Sequence, residues 1–187
     1  MEIRLNANAQ SPLSTKVFYC DENGFAVASV IVMGEKDCVL IDAQWTLMNA
    51  HRVIAEIIET GKNLTTIYLT HAHPDHYFGA GVIAEAFPKA RVIAMPEDAE
   101  MINDQFFGKI EIWEAQIGAH NVCRKSVPIE PLKVNYFELE GQRLEIIYAT
   151  GPEYGIWEVT LDGEPLLDGE GAPVVIDAYR DTVRYGM

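Results

Sequence analysis

The chain has 187 residues, 49% of them hydrophobic and 22% charged, with a formal net charge of -14. That length supports one sizeable core and argues against two full domains, and the ordinary composition argues against a disordered or low-complexity chain. The acidic balance disfavours a protein that holds nucleic acid or an anionic membrane chiefly through its surface field, since both are polyanions.

Cys20, Cys38 and Cys123 are odd in number and form no C-x-x-C pair, so neither a disulfide framework nor a thiolate zinc site is expected. Cys20 and Cys38 lie in apolar runs and read as buried thiols. The opening MEIRLNANAQSP lacks the apolar centre of a signal peptide, and no run is long enough for a membrane-spanning helix. A cytoplasmic protein is expected.

In chain order, TKVFYC, GFAVASVIVMG and DCVLIDA read as strands over 15–33 and 37–42. The short polar turns at 21–24 and 34–36 make them an antiparallel meander. Leu47, Ala50, Val53, Ile54, Ile57 and Ile58 recur at helical spacing, and Gly61 stands where a helix ends. Leu64 to Leu69 is a buried-looking strand. Tyr77 to Phe87 has helical character, Pro88 stops it, and Arg91 to Met95 is a further short strand. Strand, loop, helix and strand form a βαβ-like unit whose loop sits at the strand's C-terminal end, where ligands of α/β sheets gather. A helix over 96–119 carries Phe106, Phe107 and Trp113, and strands over 132–139 and 143–149 follow around Glu140-Gly141-Gln142. Asp162-Gly163 marks a hairpin, and PVVIDAY is the last strand. There is no linker and no internal repeat.

Between the strand ending at Leu69 and the helix beginning at Tyr77 the chain reads Thr70-His71-Ala72-His73-Pro74-Asp75-His76. Three imidazoles and a carboxylate within six residues suit zinc, iron or manganese without thiolates. In an extended stretch alternate residues share a face, so His71 and His73 can chelate one ion while Ala72 points away. Pro74 then turns the chain, which lets Asp75 and His76 address a second ion a few ångströms off, the arrangement of two-metal hydrolysis. A merely solvated loop needs no such order. His51, on the exposed side of a helix, and His120, in a polar connection, read as non-ligands.

These residues resemble the H-x-H-x-D-H signature of the metallo-β-lactamase superfamily. The resemblance covers roughly residues 15–155 and includes the strand VLID ending at Asp42, the helix after it, Thr70 and Gly79. It implies an α/β fold, an αββα sandwich with two metals at one edge of the sheets, in a single domain over 1–187. It also implies three further ligands: a histidine in a Pro-Gly-His turn, an Asp bridging the metals, and a last histidine near the C-terminus.

The chain departs from that pattern. Glu153 stands where the third histidine is expected, the bridging carboxylate falls to Asp177 or more weakly to Asp168, and no histidine follows His120. The segment 156–187 is thus expected to be a shortened or divergent second half, and a complete but divergent small member, a truncated one and a degenerate one stay open as readings. Asp42, behind the motif, is placed to fix an imidazole tautomer or simply to end a strand in a polar side chain.

Metal bound at this loop implies hydrolysis, because a coordinated water becomes a nucleophile near neutral pH. The expected site is His71, His73, Asp75, His76, Glu153 and Asp177, with Asp75 also accepting a hydrogen bond from the attacking water. The cofactor is one or two zinc ions, with iron or manganese as alternatives. A carboxylate in place of an imidazole makes the bound water more basic and lowers activity near neutrality. The resemblance implies an ester, thioester, lactam, lactone or phosphodiester substrate, and the acidic surface argues against the last. The partner is then a small molecule, with no nucleic acid and no membrane, and homo-oligomerisation stays open. An iron-dependent oxygenase on the same scaffold and a non-catalytic binding module are the competing readings.

Overall fold

The computed structural model describes residues 2–6, 13–20, 24–147, 156–161, 164–165 and 175–177. The chain divides into two compact units, residues 9–134 and residues 1–8 with 135–187.

The larger unit is built on one mixed sheet in the order β2-β3-β4-β5-β6-β7. Its strands are β2 (Ser14–Tyr19), β3 (Ala28–Met33), β4 (Asp37–Ile41), β5 (Asn63–Leu69), β6 (Arg91–Ala94) and β7 (Glu130–Pro131). β2, β3 and β4 pair antiparallel, as the short turns require. From β4 onward every pairing is parallel, and helices make the crossovers. Val30, Ile31, Val39, Leu40, Ile41, Ile67 and Leu69 are fully buried, so β3 to β5 form the apolar centre of the sheet. Continuous apolar runs are what strands covered on both faces need.

Helix α1 (Leu47–Thr60) begins at Thr46, whose hydroxyl accepts the Asn49 N–H at 3.2 Å, and ends at Gly61 with φ 68°. Both ends obey ordinary capping chemistry. Ala50, Val53 and Ile57 face the core, but Ile58 is 64% exposed. At 100° per residue Ile58 lies roughly 100° round the helix from the buried line, which takes it off the apolar stripe.

Where the sequence predicts one helix over Tyr77 to Phe87, the chain forms two, α2 (Pro74–Tyr77) and α3 (Ala80–Ala86). The break falls where Gly79 N–H turns to Gln44 O at 2.9 Å. A Cβ on Gly79 would come 2.0 Å from Ala43 O, so only glycine permits this approach. Helix α4 (Pro96–Ile117) starts on proline and buries Ala99, Ile102, Phe106 and Ile110. The strand expected from residue 24 begins only at Ala28, because Phe25 and Ala26 take positive φ and turn the chain.

The second unit holds the sheet β11-β10-β1-β9-β8, with β12 also on β10. It comprises β1 (Glu2–Asn6), β8 (Tyr136–Leu139), β9 (Gln142–Ile147), β10 (Ile156–Leu161), β11 (Glu164–Pro165) and β12 (Val175–Asp177). Glu140 and Gly141 both have positive φ and join β8 to β9 as a two-residue hairpin turn. The Leu161↔Glu164 pair flanks the expected turn at Asp162-Gly163, residues that lie outside the described ones. The strand expected over 132–139 is confined to 136–139. β1, absent from the expected elements, pairs parallel with β10 and antiparallel with β9.

Among the described residues no helix is long and apolar enough to cross a membrane. Cys20, Cys38 and Cys123 are all buried, and burial pushes the Cys38 and Cys123 thiols up to about 11 and about 12.

Candidate metal centre

Three neighbouring parallel strands, β4, β5 and β6, end at the same edge of the larger unit's sheet, and each delivers a polar residue just past its last pairing. β4 is followed by Asp42, whose N–H donates to Tyr68 O at 2.9 Å. β5 runs into Thr70 and His71. β6 leads through Met95 into α4, whose first turn carries Asp98. The motif loop lies between these contributions.

Asp42 is completely buried and has φ 60°, a left-handed conformation that few non-glycine residues adopt. Its Oδ1 accepts the Thr70 N–H at 2.9 Å, and the Thr70 hydroxyl lies 2.8 Å from Oδ2. Oδ2 is also 2.7 Å from His76 Nδ1. The Thr70 hydroxyl, donating to the carboxylate, is left to accept from His71 Nδ1 at 2.9 Å. One carboxylate therefore places a proton on Nδ1 of both rings and leaves Nε2 as the atom that can face an ion. It acts on His76 directly and on His71 through Thr70.

The three motif imidazoles are gathered together. The His71 ring centroid is 4.6 Å from that of His73 and 4.1 Å from that of His76. His73 is the extended residue before Pro74, with φ -94° and ψ 136°, and Asp75 and His76 follow in the first turn of α2. Asp75 Oδ2 lies 3.4 Å from His76 Nε2, with its side chain 25% exposed. Burial works to lower the His76 pKa, but the Asp42 and Asp75 charges and the Asp42 hydrogen bond outweigh it and raise the group to about 9, so without an ion the ring also holds a proton at Nε2 that an incoming cation has to displace.

In the middle of the loop the Ala72 N–H donates to Asp98 Oδ1 at 3.0 Å. Burial pushes the Asp98 carboxyl up to about 6, opposed by that hydrogen bond and reinforced by Glu97 and Asp42. The sequence reading missed Asp98. Its signal was available: a carboxylate four residues beyond the end of the next parallel strand, in a helix opened by proline.

The donor chemistry fits a divalent cation, with imidazoles tautomerised for Nε2 coordination beside a partly exposed carboxylate. Among the described residues, however, no group of three or more His, Cys, Asp or Glu side chains converges as a finished metal site. Glu153 and Asp168 lie outside the described residues. Asp177 ends β12, with its backbone paired opposite Ile156. His51 and His120 are both exposed. A cavity of about 220 Å³ between α3, α4 and residues 126–129 is lined by Tyr77, Ile102 and Phe106 and touches none of the four motif donors.

The sequence matches the family model of the Metallo-beta-lactamase superfamily over residues 22–175. The chain belongs to this superfamily. Its mixed α/β architecture, sheets with flanking helices, agrees with that fold. BLEG-1 B3 metallo-beta-lactamase is similar in structure, with a TM-score of 0.56 at 14% identity over 74% of this chain and 62% of that one. A metallo-beta-lactamase from Pontibacter korlensis gives 0.51 at 17% identity over 78% of this chain and 60% of that one. Likeness at such identities speaks for the fold alone. Among curated proteins, YobT of Bacillus subtilis (strain 168), described as uncharacterized, is 34% identical over 79 residues. That match takes in 42% of this chain and 33% of YobT. The chain thus spans about a third of this curated relative and less than two thirds of these metallo-beta-lactamases.

Proposed function

We propose that the chain is a metal-dependent hydrolase acting on a small molecule through an ester, thioester, lactam or lactone bond. The supporting observation is the Asp42 network, which hydrogen-bonds both His76 Nδ1 and, through Thr70, His71 Nδ1. A purely structural loop gains nothing from two rings held in the tautomer that metal coordination needs.

In this reading His71 and His73 hold one zinc ion and Asp75 and His76 hold or orient a second. Zinc, when bound, supplies a hydroxide near neutral pH and polarises the scissile carbonyl. The chain's own residues do the rest. Asp42 and Thr70 keep the Nδ1 protons in place, so that neither ring turns over. Asp75, the partly exposed carboxylate beside His76 Nε2, accepts a hydrogen bond from the attacking water and orients it.

The test is metal content and stoichiometry on protein purified without chelators, for the wild type and for a His71→Ala, His73→Ala double variant. Those proteins are then assayed on a panel of ester, thioester, lactam and lactone substrates. Bound zinc that the double variant loses, together with turnover, supports the reading. Metal retained by the double variant, or stoichiometric iron with oxygen uptake, overturns it.

A further inference from the structure

The motif loop is held by two carboxylates, Asp42 at Thr70 and His76 and Asp98 at Ala72, and the Asp42 contacts account for only part of that arrangement. Ala72, the residue between His71 and His73, is buried, with 8% of its surface exposed. Its N–H donates not to Asp42 but to Asp98 Oδ1. Asp98 stands in the first turn of α4, where an acidic side chain would ordinarily serve the unsatisfied N–H groups of its own helix. Here one oxygen is committed to a different element, 26 residues earlier in the chain. The position is an unfavourable one for a carboxylate, since burial and the charges of Glu97 and Asp42 all disfavour its ionised form. No other described function is served by this placement.

We infer that Asp98 is a positioning residue that fixes the backbone between His71 and His73, so that the two imidazoles are presented as a pair. The inference rests on the proposed metal-binding role of the loop. His71 and Ala72 lie in a bend rather than in the extended stretch the sequence suggests, yet the His71 and His73 rings stand 4.6 Å apart, so their pairing depends on the peptide between them being held in that conformation. Asp42 anchors the loop at its start through Thr70 and at its end through His76, which leaves the middle peptide to Asp98. The arm is α4, itself anchored by Ala99, Ile102 and Phe106 in the core, so the carboxylate approaches from a rigid element.

The experiment uses the full chain with and without zinc, comparing the wild type with Asp98→Ala and Asp98→Asn. The asparagine keeps an oxygen able to accept from Ala72 N–H, whereas alanine does not. The first readout is amide hydrogen exchange at Ala72 in the metal-free protein, with the Ile67 amide of β5 as internal reference. Asp98→Ala should speed exchange at Ala72 by about tenfold or more without changing Ile67, and Asp98→Asn should leave both near wild type. The second readout is zinc affinity by competition with a chromophoric chelator. There Asp98→Ala should weaken binding by about 10- to 100-fold and Asp98→Asn should restore most of it.

If Asp98→Ala does not fold, Asp98→Ser takes its place, since serine suits a helix start but is one bond too short to reach Ala72. Unchanged Ala72 exchange in the alanine or serine variant overturns the assignment, as does an asparagine variant as damaged as the alanine. A wild type that binds no zinc overturns the proposed function instead, and the exchange measurement then still decides whether Asp98 holds the loop.

Discussion

The Asp42 carboxylate lies 2.7 Å from His76 Nδ1, and both side chains are almost completely shut off from water. The pair joins the end of β4 to the last residue of the motif, 34 residues later, and the same carboxylate takes the N–H and hydroxyl of Thr70. Removing it by Asp42→Ala would strand an imidazole and a hydroxyl in the interior and should destabilise the fold by about 3 to 5 kcal/mol. Asp42→Asn is the subtler change. Its amide N–H2 offers a donor to His76 Nδ1, which shifts the ring proton to Nε2 and blocks the metal-facing nitrogen. That variant should fold yet bind zinc about 10- to 100-fold more weakly. Urea denaturation and zinc titration check the two effects separately, and an Asp42→Asn protein with unaltered zinc affinity would count against the tautomer argument.

Thr70→Val separates the two histidines. The change keeps the side chain's shape while removing the hydroxyl that links Asp42 to His71. It should cost about 1 to 3 kcal/mol, because buried acceptors lose a donor. The His76 ring should keep its Nδ1 proton while His71 loses its preference. Nitrogen-15 NMR of the imidazoles in the metal-free protein reads both tautomers, and an unchanged His71 signal would refute the relay.

Gly79→Ala tests the close approach behind the motif. The added methyl would sit 2.0 Å from Ala43 O, and that oxygen belongs to backbone, which cannot rotate aside. Ala43 N–H in turn donates to His76 O at 2.7 Å. The expected loss is about 3 kcal/mol, the upper end for overpacking, with weakened zinc binding because the displaced segment carries Asp42. A thermal melt within a degree of wild type would show that the two segments separate easily.

The pH dependence of the metal-free protein should carry a signature of Asp98. Its carboxyl is raised from an ordinary 3.8 to about 6, so between those values the folded chain holds a proton that the unfolded chain has released. Folding then takes up a proton, and this group's contribution to stability falls as pH rises through the window. Asp98→Asn does not titrate. The stability of wild type relative to Asp98→Asn should therefore decline from about pH 4 to about pH 6 and level off above. Urea melts at pH steps across that range measure it, and a difference that rises or stays flat contradicts the shift.

Much of the larger unit was legible in the residues themselves. The apolar runs of β3, β4 and β5 are buried as their composition demands, and α1 begins at Thr46 and ends at Gly61 where capping chemistry puts its ends. The elements misread were those whose limits depend on contacts. Tyr77 to Phe87 is helical in most of its composition but includes Gly79 and Gly81, and it splits at Gly79, where Gln44 and Ala43 lie against it. Ile58 carries the right residue type at the wrong angle. β1 is short but carries the alternation Glu2-Ile3-Arg4-Leu5-Asn6, a strand signal the sequence reading passed over, and it pairs with β9 and β10.

The sequence by itself determined the donors: three imidazoles and a carboxylate in the order His71, His73, Asp75, His76, at the end of an apolar strand. That information is local, since side-chain chemistry and chain spacing within six residues need no partner to be read. Only the tertiary structure decided how those donors are held. Parallel strands place the C-terminal ends of β4, β5 and β6 side by side although they are separated by whole helices along the chain. Asp42 and Asp98 are thereby brought to the same loop, Asp42 at Thr70 and His76 and Asp98 at Ala72. Strand pairing is a nonlocal hydrogen-bonding choice: the resemblance suggested Asp42 for one imidazole, but its reach to both rings and the contact of Asp98 with Ala72 follow only from that pairing.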